Sequence, residues 1–502
     1  MNIDLSSALG VTIGLLPEVV LTGFGLMVLL LVSWRHRGVG DLRLAGWVSL
    51  AGLLASLAAL AWLWVGHARP MNGPNMIVLD DFRFASSALI LIAGIATVLL
   101  SQAYLEREGI LAPEYFVLVL LATVGMLFLA GADDMMVLFL GLEVMSVAVY
   151  VLAGFQRGSA FSAEAALKYF LIGAFASAFL LYGIALTYGV TGTTSLSVAG
   201  TVFGRGPLPV MGGLGLAFVL IGFGFKVAAV PFHMWTPDVY DGAPTPVTGF
   251  MATGVKVAAF AALVRVLIGT FGTAGDTWQP IVAALAVLSM VIGNLVALSQ
   301  PTIKRMLAYS SIAHAGYLLA ALMTGSTLGV TAVLVYLLAY VLTSLAAFGF
   351  LALLGREGER DVSLGSIAGL ARQRPWVAAG LSVCMLSLLG FPGTLGFIGK
   401  WMILLSLVGQ GHSMIAVIVV LASLVSAGYY LPVIMSVYMR PEPAESLHGG
   451  MLVSRPVTGT LTFAILLILV LGVWPTPAIE TAMASAGSLY DGIVAGVHHA
   501  LR

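Results

Sequence analysis

Residues 210–236 read VMGGLGLAFVLIGFGFKVAAVPFHMWT, an apolar run whose only ammonium or carboxylate is Lys226. As one helix it would be about 40 Å long at 1.5 Å per residue. That exceeds the roughly 30 Å of hydrocarbon in a bilayer. Such a run belongs in the centre of a large core or in lipid, and the rest of the chain decides between them. Of its 502 residues, 60% are hydrophobic and only 9% are charged, and the mean hydropathy is +1.06. A soluble domain carries roughly a quarter charged residues. A chain this apolar cannot cover itself with a polar surface, so its solvent is largely lipid.

Similar runs recur near 11–33, 44–65, 84–103, 113–131, 134–154, 166–190, 210–236, 246–270, 279–299, 305–324, 328–354, 376–408, 413–438 and 457–480. They predict an all-α polytopic membrane protein of about fourteen helices. The runs are continuously apolar, without the alternation of barrel strands. The first, about 11–32, lacks a basic leader and cleavage site and is expected to be retained. No connection is long enough to hide a soluble domain. The formal net charge is zero, which gives no sign of nucleic-acid binding. Cys384 is the single cysteine. An intrachain disulfide, a cysteine-ligated iron–sulfur cluster and a CxxCH haem site are thereby excluded.

Orientation follows from the basic residues. With the N-terminus outside, the inner loops hold Arg35, Arg37, Arg43, Arg107, Arg157, Lys168, Lys304, Arg305, Arg356, Arg360, Arg372, Arg374, Arg440 and Arg455. The outer loops hold Arg69, Arg83, Arg205, Arg265 and Arg502. That asymmetry obeys the positive-inside rule and puts both termini on the non-cytoplasmic side.

Lys226, Lys256 and Lys400 are the basic residues left over, each well inside a run. Glu143 joins them, nine residues past Asp134 and so about 14 Å deep. A lysine at a helix centre costs about 3 kcal/mol on insertion scales. These lie too deep for snorkelling, so a partner, a hydrated cavity or neutralisation must relieve them. A charge about 10 Å away, at an effective dielectric near 20, contributes roughly 1.7 kcal/mol, more than one pKa unit. Moving a neighbour such as Glu143 relative to Lys226 could therefore load or unload a proton. The plainer alternative is static ion pairs that hold helices together.

Two runs are predicted to be discontinuous, the seventh and the twelfth. Segment 376–408 contains Leu389-Gly-Phe-Pro-Gly-Thr-Leu-Gly396, and proline removes a donor and clashes with the preceding turn. Segment 210–236 has Gly222, Gly224 and Pro231 around Lys226. Broken backbone is tolerated in a membrane where it lines a cavity or is buried in protein, and paired breaks mark the ion sites of many transporters. Two five-helix units of opposite topology, helices 4–8 and 9–13, would place one break in each. The organisation expected is an N-terminal three-helix segment (1–112), a first repeat (113–270), a second repeat (279–438) and a C-terminal helix and tail (457–502).

His233 and His314 lie within or at the edge of spans, where imidazole suits either a proton shuttle or a hydrogen-bonded structural role. Glu164 and Lys168, four residues apart, are most simply a surface ion pair. Glu18, after Pro17, is most simply a first-turn acid at the positive end of a helix dipole.

At these residues the sequence resembles the antiporter-like membrane subunits of respiratory complex I. The resemblance is carried by residues 224–247 (GFKVAAVPFHMWTPDVYDGAPTPV), 253–257 (TGVKV), 142–150 (LEVMSVAVY), 167–170 (LKYF), 304–317 (KRMLAYSSIAHAGY) and 390–401 (GFPGTLGFIGKW). It covers nearly the whole chain. It implies fourteen helices with two inverted five-helix repeats, and Glu143 paired with Lys226. It also implies Lys256 and His314 as lateral carriers, Lys400 as the end of the path, and Lys168 and His233 as further relay members. The resemblance implies a proton-pumping translocase subunit of a bacterial inner membrane with no cofactor of its own. Flavin, iron–sulfur clusters and quinone would be in partner subunits. Those partners would include a second antiporter-like subunit and small membrane subunits. A subunit of a multisubunit cation/proton antiporter shares these motifs, and a non-conducting scaffold subunit is the remaining reading.

Overall fold

The computed structural model describes residues 2–3, 8–34, 38–66, 69–70, 76–355, 362–441 and 454–500. Of the arginines used for orientation, Arg35, Arg37, Arg356, Arg360 and Arg502 lie outside the described residues.

The described residues are predominantly helical. Ala8–Gly14 (α1), Leu16–Trp34 (α2), Val39–Val65 (α3), Asp81–Arg107 (α4), Glu114–Gly131 (α5), Met135–Ala153 (α6) and Ala160–Thr191 (α7) come first. The short Leu196–Phe203 (α8) leads to Val210–Val227 (α9) and Thr236–Gly242 (α10). Thr245–Phe250 (α11) and Lys256–Arg265 (α12) form one rod, Thr245–Thr270, with π turns at Met251–Val255 and Val266–Thr270. Gly275–Ala297 (α13), Ile303–Leu322 (α14), Thr327–Leu354 (α15), Leu370–Gln373 (α16), Pro375–Leu389 (α17), Leu395–Gly409 (α18), Ser413–Met439 (α19), Arg455–Val473 (α20) and Thr476–Ala500 (α21) complete it. Among the described residues the one strand pair is a two-residue parallel contact, Asn2–Ile3 with Arg69–Pro70.

Twelve of these helices, counting Thr245–Thr270 as one, are long and apolar enough to cross a membrane. α17 and α18 are shorter apolar helices, the two halves of the predicted 376–408 segment. Large side chains such as Phe175, Val210, Leu424 and Phe463 are exposed around the bundle, which water would penalise and acyl chains do not. The chain is therefore an all-α, multi-pass membrane protein.

Burial sorts the helices into shells. Thr245–Thr270 is enclosed along its whole length, and α15 and α5 are nearly so. α2, α19 and α20 turn most of their surface outward. Small residues set the closest crossings: a Cβ on Gly125 would collide with the Met145 amide of α6, and one on Gly293 with the Ala313 amide of α14. The pairs α5–α6 and α13–α14 thus pack backbone to backbone.

The two expected breaks are present, placed by backbone geometry. α9 ends at Val227, one residue after Lys226, and the next residue, Ala228, takes φ 60°. α17 stops at Gly390 with φ 85°. The run 210–236 is consequently shorter as a helix than its apolar length suggested.

The C-terminal helix is shorter than the sequence predicts. The expected helix 457–480 ends at Val473, because Trp474 precedes Pro475 and leaves helical geometry (φ −123°, ψ 76°). A second helix, α21, follows. Its buried residues Ala482, Ser485, Ala486 and Leu489 recur at helical spacing on one face. That face packs on α4, α8 and α15. Ser488 Oγ accepts from the Asp81 amide at 3.0 Å, and Tyr490 donates its hydroxyl to the Gly325 carbonyl at 2.8 Å.

Candidate proton-relay site

Lys226 sits at the end of α9 and is 2% exposed. Its ammonium donates to Ser146 Oγ at 2.7 Å and Tyr150 Oη at 3.2 Å, both on α6. The rings of Tyr150, Phe225 and Tyr169 stand 5.1, 5.3 and 5.5 Å from the nitrogen, a cage of cation–π contacts suited to a desolvated ammonium. Glu143 lies one turn before Ser146 and two before Tyr150, on the same face of α6. Among the described residues no ion pair within 4.0 Å joins Glu143 to Lys226, and Glu143 Oε1 has no hydrogen-bond partner. The implied pair is indirect here, with a serine and a tyrosine hydroxyl holding the lysine.

Lys256 closes the first π turn of the enclosed rod. Its ammonium donates to both the carbonyl and the hydroxyl of Ser311 on α14, each at 2.6 Å, and stands 4.9 Å from the centroid of the Tyr340 ring. One turn beyond Ser311 is His314, 3% exposed. Its Nδ1 is 2.6 Å from Tyr336 Oη and its Nε2 is 3.1 Å from Tyr430 Oη. Tyr430 also hydrogen-bonds Ser310. Tyr340 and Tyr317 pack on the imidazole with centroids at 5.2 and 5.6 Å. Lys400 follows, its ammonium 4.9 Å from the Tyr317 ring and donating to the Leu389 carbonyl at 2.8 Å. That carbonyl is exposed to a donor because α17 ends there. Lys256, Tyr340, His314, Tyr317 and Lys400 form a contiguous file of contacts.

Lys168 and His233 stand apart from this file. Lys168, 39% exposed, pairs with Glu164 at 2.6 Å and Asp238 at 2.7 Å. Arg305 completes the cluster, 3.1 Å from Asp238 and 3.6 Å from Asp241. Burial pushes the Asp238 carboxyl up, but the hydrogen bonds and charges of Lys168 and Arg305 outweigh it and hold it below the usual carboxylate range. His233 is partly buried in the turn between α9 and α10. Among the described residues no hydrogen bond or ion pair links either one to the file.

A sequence profile for the family described as NADH:quinone oxidoreductase/Mrp antiporter, TM, matches residues 132–426, the stretch from the head of α6 into α19. The chain belongs to that family. A relative from Roseiflexus castenholzii named NADH-quinone oxidoreductase subunit N 2 is 42% identical over 468 residues, 91% of this chain and 93% of its own length. A chain in the structure of respiratory complex I from Thermus thermophilus with bound aureothin is 37% identical, with a TM-score of 0.78 over 92% of this chain and 98% of its own. A chain of the Mrp complex from Dietzia sp. DQ12-45-1b matches 99% of this chain and 100% of its own at a TM-score of 0.84, but at 22% identity that is a likeness of fold alone.

Two features of this family member's site escaped sequence reasoning. The first is its hydroxyl and aromatic shell: Ser146, Tyr150, Tyr169, Ser311, Tyr317, Tyr336, Tyr340 and Tyr430. Spacing of four puts Ser146 with Tyr150, and Tyr336 with Tyr340, on single helix faces, a signal that was available. The second is the pairing of outer arginines. Arg83 and Arg265, assigned to outer loops, are buried at helix ends (1% and 5% exposed) and bonded to carboxylates. Glu18, expected to serve the helix dipole, is the partner of Arg83 at 2.7 Å.

The cradle of Lys400 gives a direct test. Gly390 and Gly393 both have left-handed φ, 85° and 87°. A Cβ on Gly393 meets nothing within 4 Å, whereas one on Gly390 would lie 2.8 Å from Lys400 Cδ. Gly393→Ala should cost about 1–2 kcal/mol of backbone strain alone. Gly390→Ala should cost that and also displace Lys400, so its thermal transition falls lower. Equal transitions would show that the cradle is slack.

Proposed function

We propose that this chain is the subunit N-type, proton-translocating membrane subunit of a bacterial NADH–quinone oxidoreductase, with Lys226, Lys256, His314 and Lys400 as its relay and Glu143 as the modulating carboxylate. The observation that carries this reading is the contiguous file from Lys256 through Tyr340, His314 and Tyr317 to Lys400. Basic groups that only glue helices would be paired with carboxylates. These instead meet hydroxyls, carbonyls and ring faces, which tolerate both the charged and the neutral amine. The early Leu15-Leu-Pro-Glu18 and a lysine, rather than glutamate, at position 400 favour the N type within the family, in line with the named relative. Quinone reduction would occur in partner subunits of the membrane arm. A conformational or electrostatic change there would move Glu143 relative to Lys226, shift the lysine's proton affinity and start transfer along the file.

The head of α6 bridges Ser195 after α7, and the head of α14 bridges Ser363 after α15. Helices second in each proposed five-helix unit thus receive the same tie from the segment after the third. Opposite topology would open one half-channel to each side, and with the basic residues inward both termini lie on the periplasmic side.

The test uses the assembled complex in sealed vesicles driven by NADH. Lys256→Met should retain quinone reduction at assembly levels near wild type while lowering protons moved per quinol. Full proton yield from the variant would favour a scaffold. A yield that follows sodium and survives a protonophore would favour the cation/proton antiporter reading.

A further inference from the structure

A second set of charges lies away from the file, near the heads of α7, α10 and α14. Lys168 on α7 and Arg305 on α14 share the Asp238 carboxylate, at 2.7 and 3.1 Å. Each has a further acid, Glu164 at 2.6 Å for the lysine and Asp241 at 3.6 Å for the arginine. Lys304 adds a bond from α14 to the Ala243 carbonyl at 2.7 Å. A Cβ on Gly242 would lie 2.6 Å from the Phe161 carbonyl, so α10 rests directly on the start of α7. α10 is thus pinned between a helix of the first proposed repeat and one of the second. Isolated exposed ion pairs hold little, but a carboxylate shared by cations from two helices belongs to a network and fixes a position.

What α10 holds in the bundle is Trp235, the residue just before it, which is 3% exposed. Its indole stacks on the Tyr169 ring, with centroids 4.4 Å apart and planes at 9°, and meets the Phe225 ring at 5.1 Å. Its Nε1 donates to the Phe225 carbonyl at 3.1 Å, one of the last-turn acceptors that α9 leaves free by ending at Val227. Tyr169 and Phe225 supply two of the three rings around the Lys226 ammonium. Both partners of the stack adjoin the ion cluster. Tyr169 follows Lys168 directly, and Asp238 stands three residues, one helical turn, beyond Trp235. The bond between Lys168 and Asp238 therefore closes a loop around the stacked rings.

We propose that Asp238 is a positioning residue for proton transfer at Lys226: by clamping Lys168 and Arg305 it holds Trp235 against Tyr169 and Phe225, and so sets the cage in which the lysine gains and loses its proton. The inference rests on the relay reading above. Cation–π attraction acts on the ammonium and not on the amine, and it depends on where the ring faces stand. With the clamp open, Trp235 is free to shift, Tyr169 and Phe225 lose their common support, and the balance between ammonium and amine changes with no movement of Glu143. Lys168 serves here as a fixed cation and not as a carrier. Its side chain is 39% exposed and its ammonium is engaged by two carboxylates. A clamp needs only its charge and its reach, whereas a carrier must part with a proton.

The experiment reads protons moved per NADH oxidised by the assembled complex in sealed vesicles. Asp238→Asn and Lys168→Gln should keep quinone reduction and lower the proton yield, and Asp238→Glu and Lys168→Arg should restore it. The arginine separates the two roles open to Lys168. A guanidinium keeps the clamp but is not deprotonated in proteins, so a yield lost in Lys168→Arg would make Lys168 a carrier and overturn the proposal. Trp235→Leu should lower the yield as well. Combined with Asp238→Asn it should do no worse than the poorer single variant, because both open one device, and losses that add would overturn the proposal too. So would a native yield in Asp238→Asn. If that variant does not assemble, a native yield in Lys168→Gln overturns it instead. Loss of pumping in Lys226→Arg beside a native Asp238→Asn sinks this inference alone, whereas a native Lys226→Arg sinks the relay on which it rests.

Discussion

Replacing Lys226 by alanine should give an assembled complex that still reduces quinone but has lost this chain's share of pumping, and Lys226→Arg should fail in the same way. The arginine is the sharper variant. It keeps a cation against Ser146, Tyr150 and the three surrounding rings, so any purely structural duty of the charge is preserved. A guanidinium, however, is not deprotonated in proteins, so it can neither give up nor take back a proton when Glu143 moves. Alanine, by contrast, removes an insertion cost of about 3 kcal/mol along with the cation–π contacts, so its effect on stability is a difference of similar quantities. Comparing the two in sealed vesicles, as protons moved per NADH oxidised, separates a relay from a strut. A Lys226→Arg complex pumping at native yield would mean that the lysine never changes charge.

Much of this architecture was legible in the sequence, for physical reasons that also mark where legibility ended. Hydrocarbon demands long apolar runs and internally satisfied backbone, so the spans announced themselves. The break at Gly390 did too, because glycine and proline have few other uses there. The lysines stood out since nothing in a bilayer makes them cheap. Their immediate partners did not. Tyrosine in an apolar run reads equally as core filler or interface belt, and only the fold shows that Tyr317 and Tyr340 flank His314. Residues at helix ends were misread for a related reason. An arginine beside a turn looks like a loop residue whether it meets water or, as with Arg265, a carboxylate from a distant turn. The π turns around Lys256 leave no compositional trace. α21 was missed because its face is amphipathic rather than apolar, which a search for spans passes over.

The largest effect on stability should come from Arg83→Ala. Arg83 and Glu18 are 1% and 2% exposed and 2.7 Å apart, and the guanidinium also donates to the carbonyls of Val78 at 2.8 Å and Gly14 at 3.1 Å. Alanine would orphan three acceptors at once and leave the Glu18 carboxylate buried with no counter-charge. Removing one member of a buried pair typically costs about 3–5 kcal/mol, whereas replacing both by apolar groups of similar volume is often close to neutral. Glu18→Leu combined with Arg83→Met should therefore recover much of the loss, since methionine fills the channel against Gly131 that the arginine stem now occupies. Thermal unfolding of the purified complex, with the yield of assembled complex as a second readout, distinguishes the cases. The single variant should fall far below wild type at both low and high salt, because so enclosed a pair is poorly screened. A single variant as stable as wild type, or a double variant no better than the single, would show that the Glu18–Arg83 pair does not tie the N-terminal helices to the rest of the bundle.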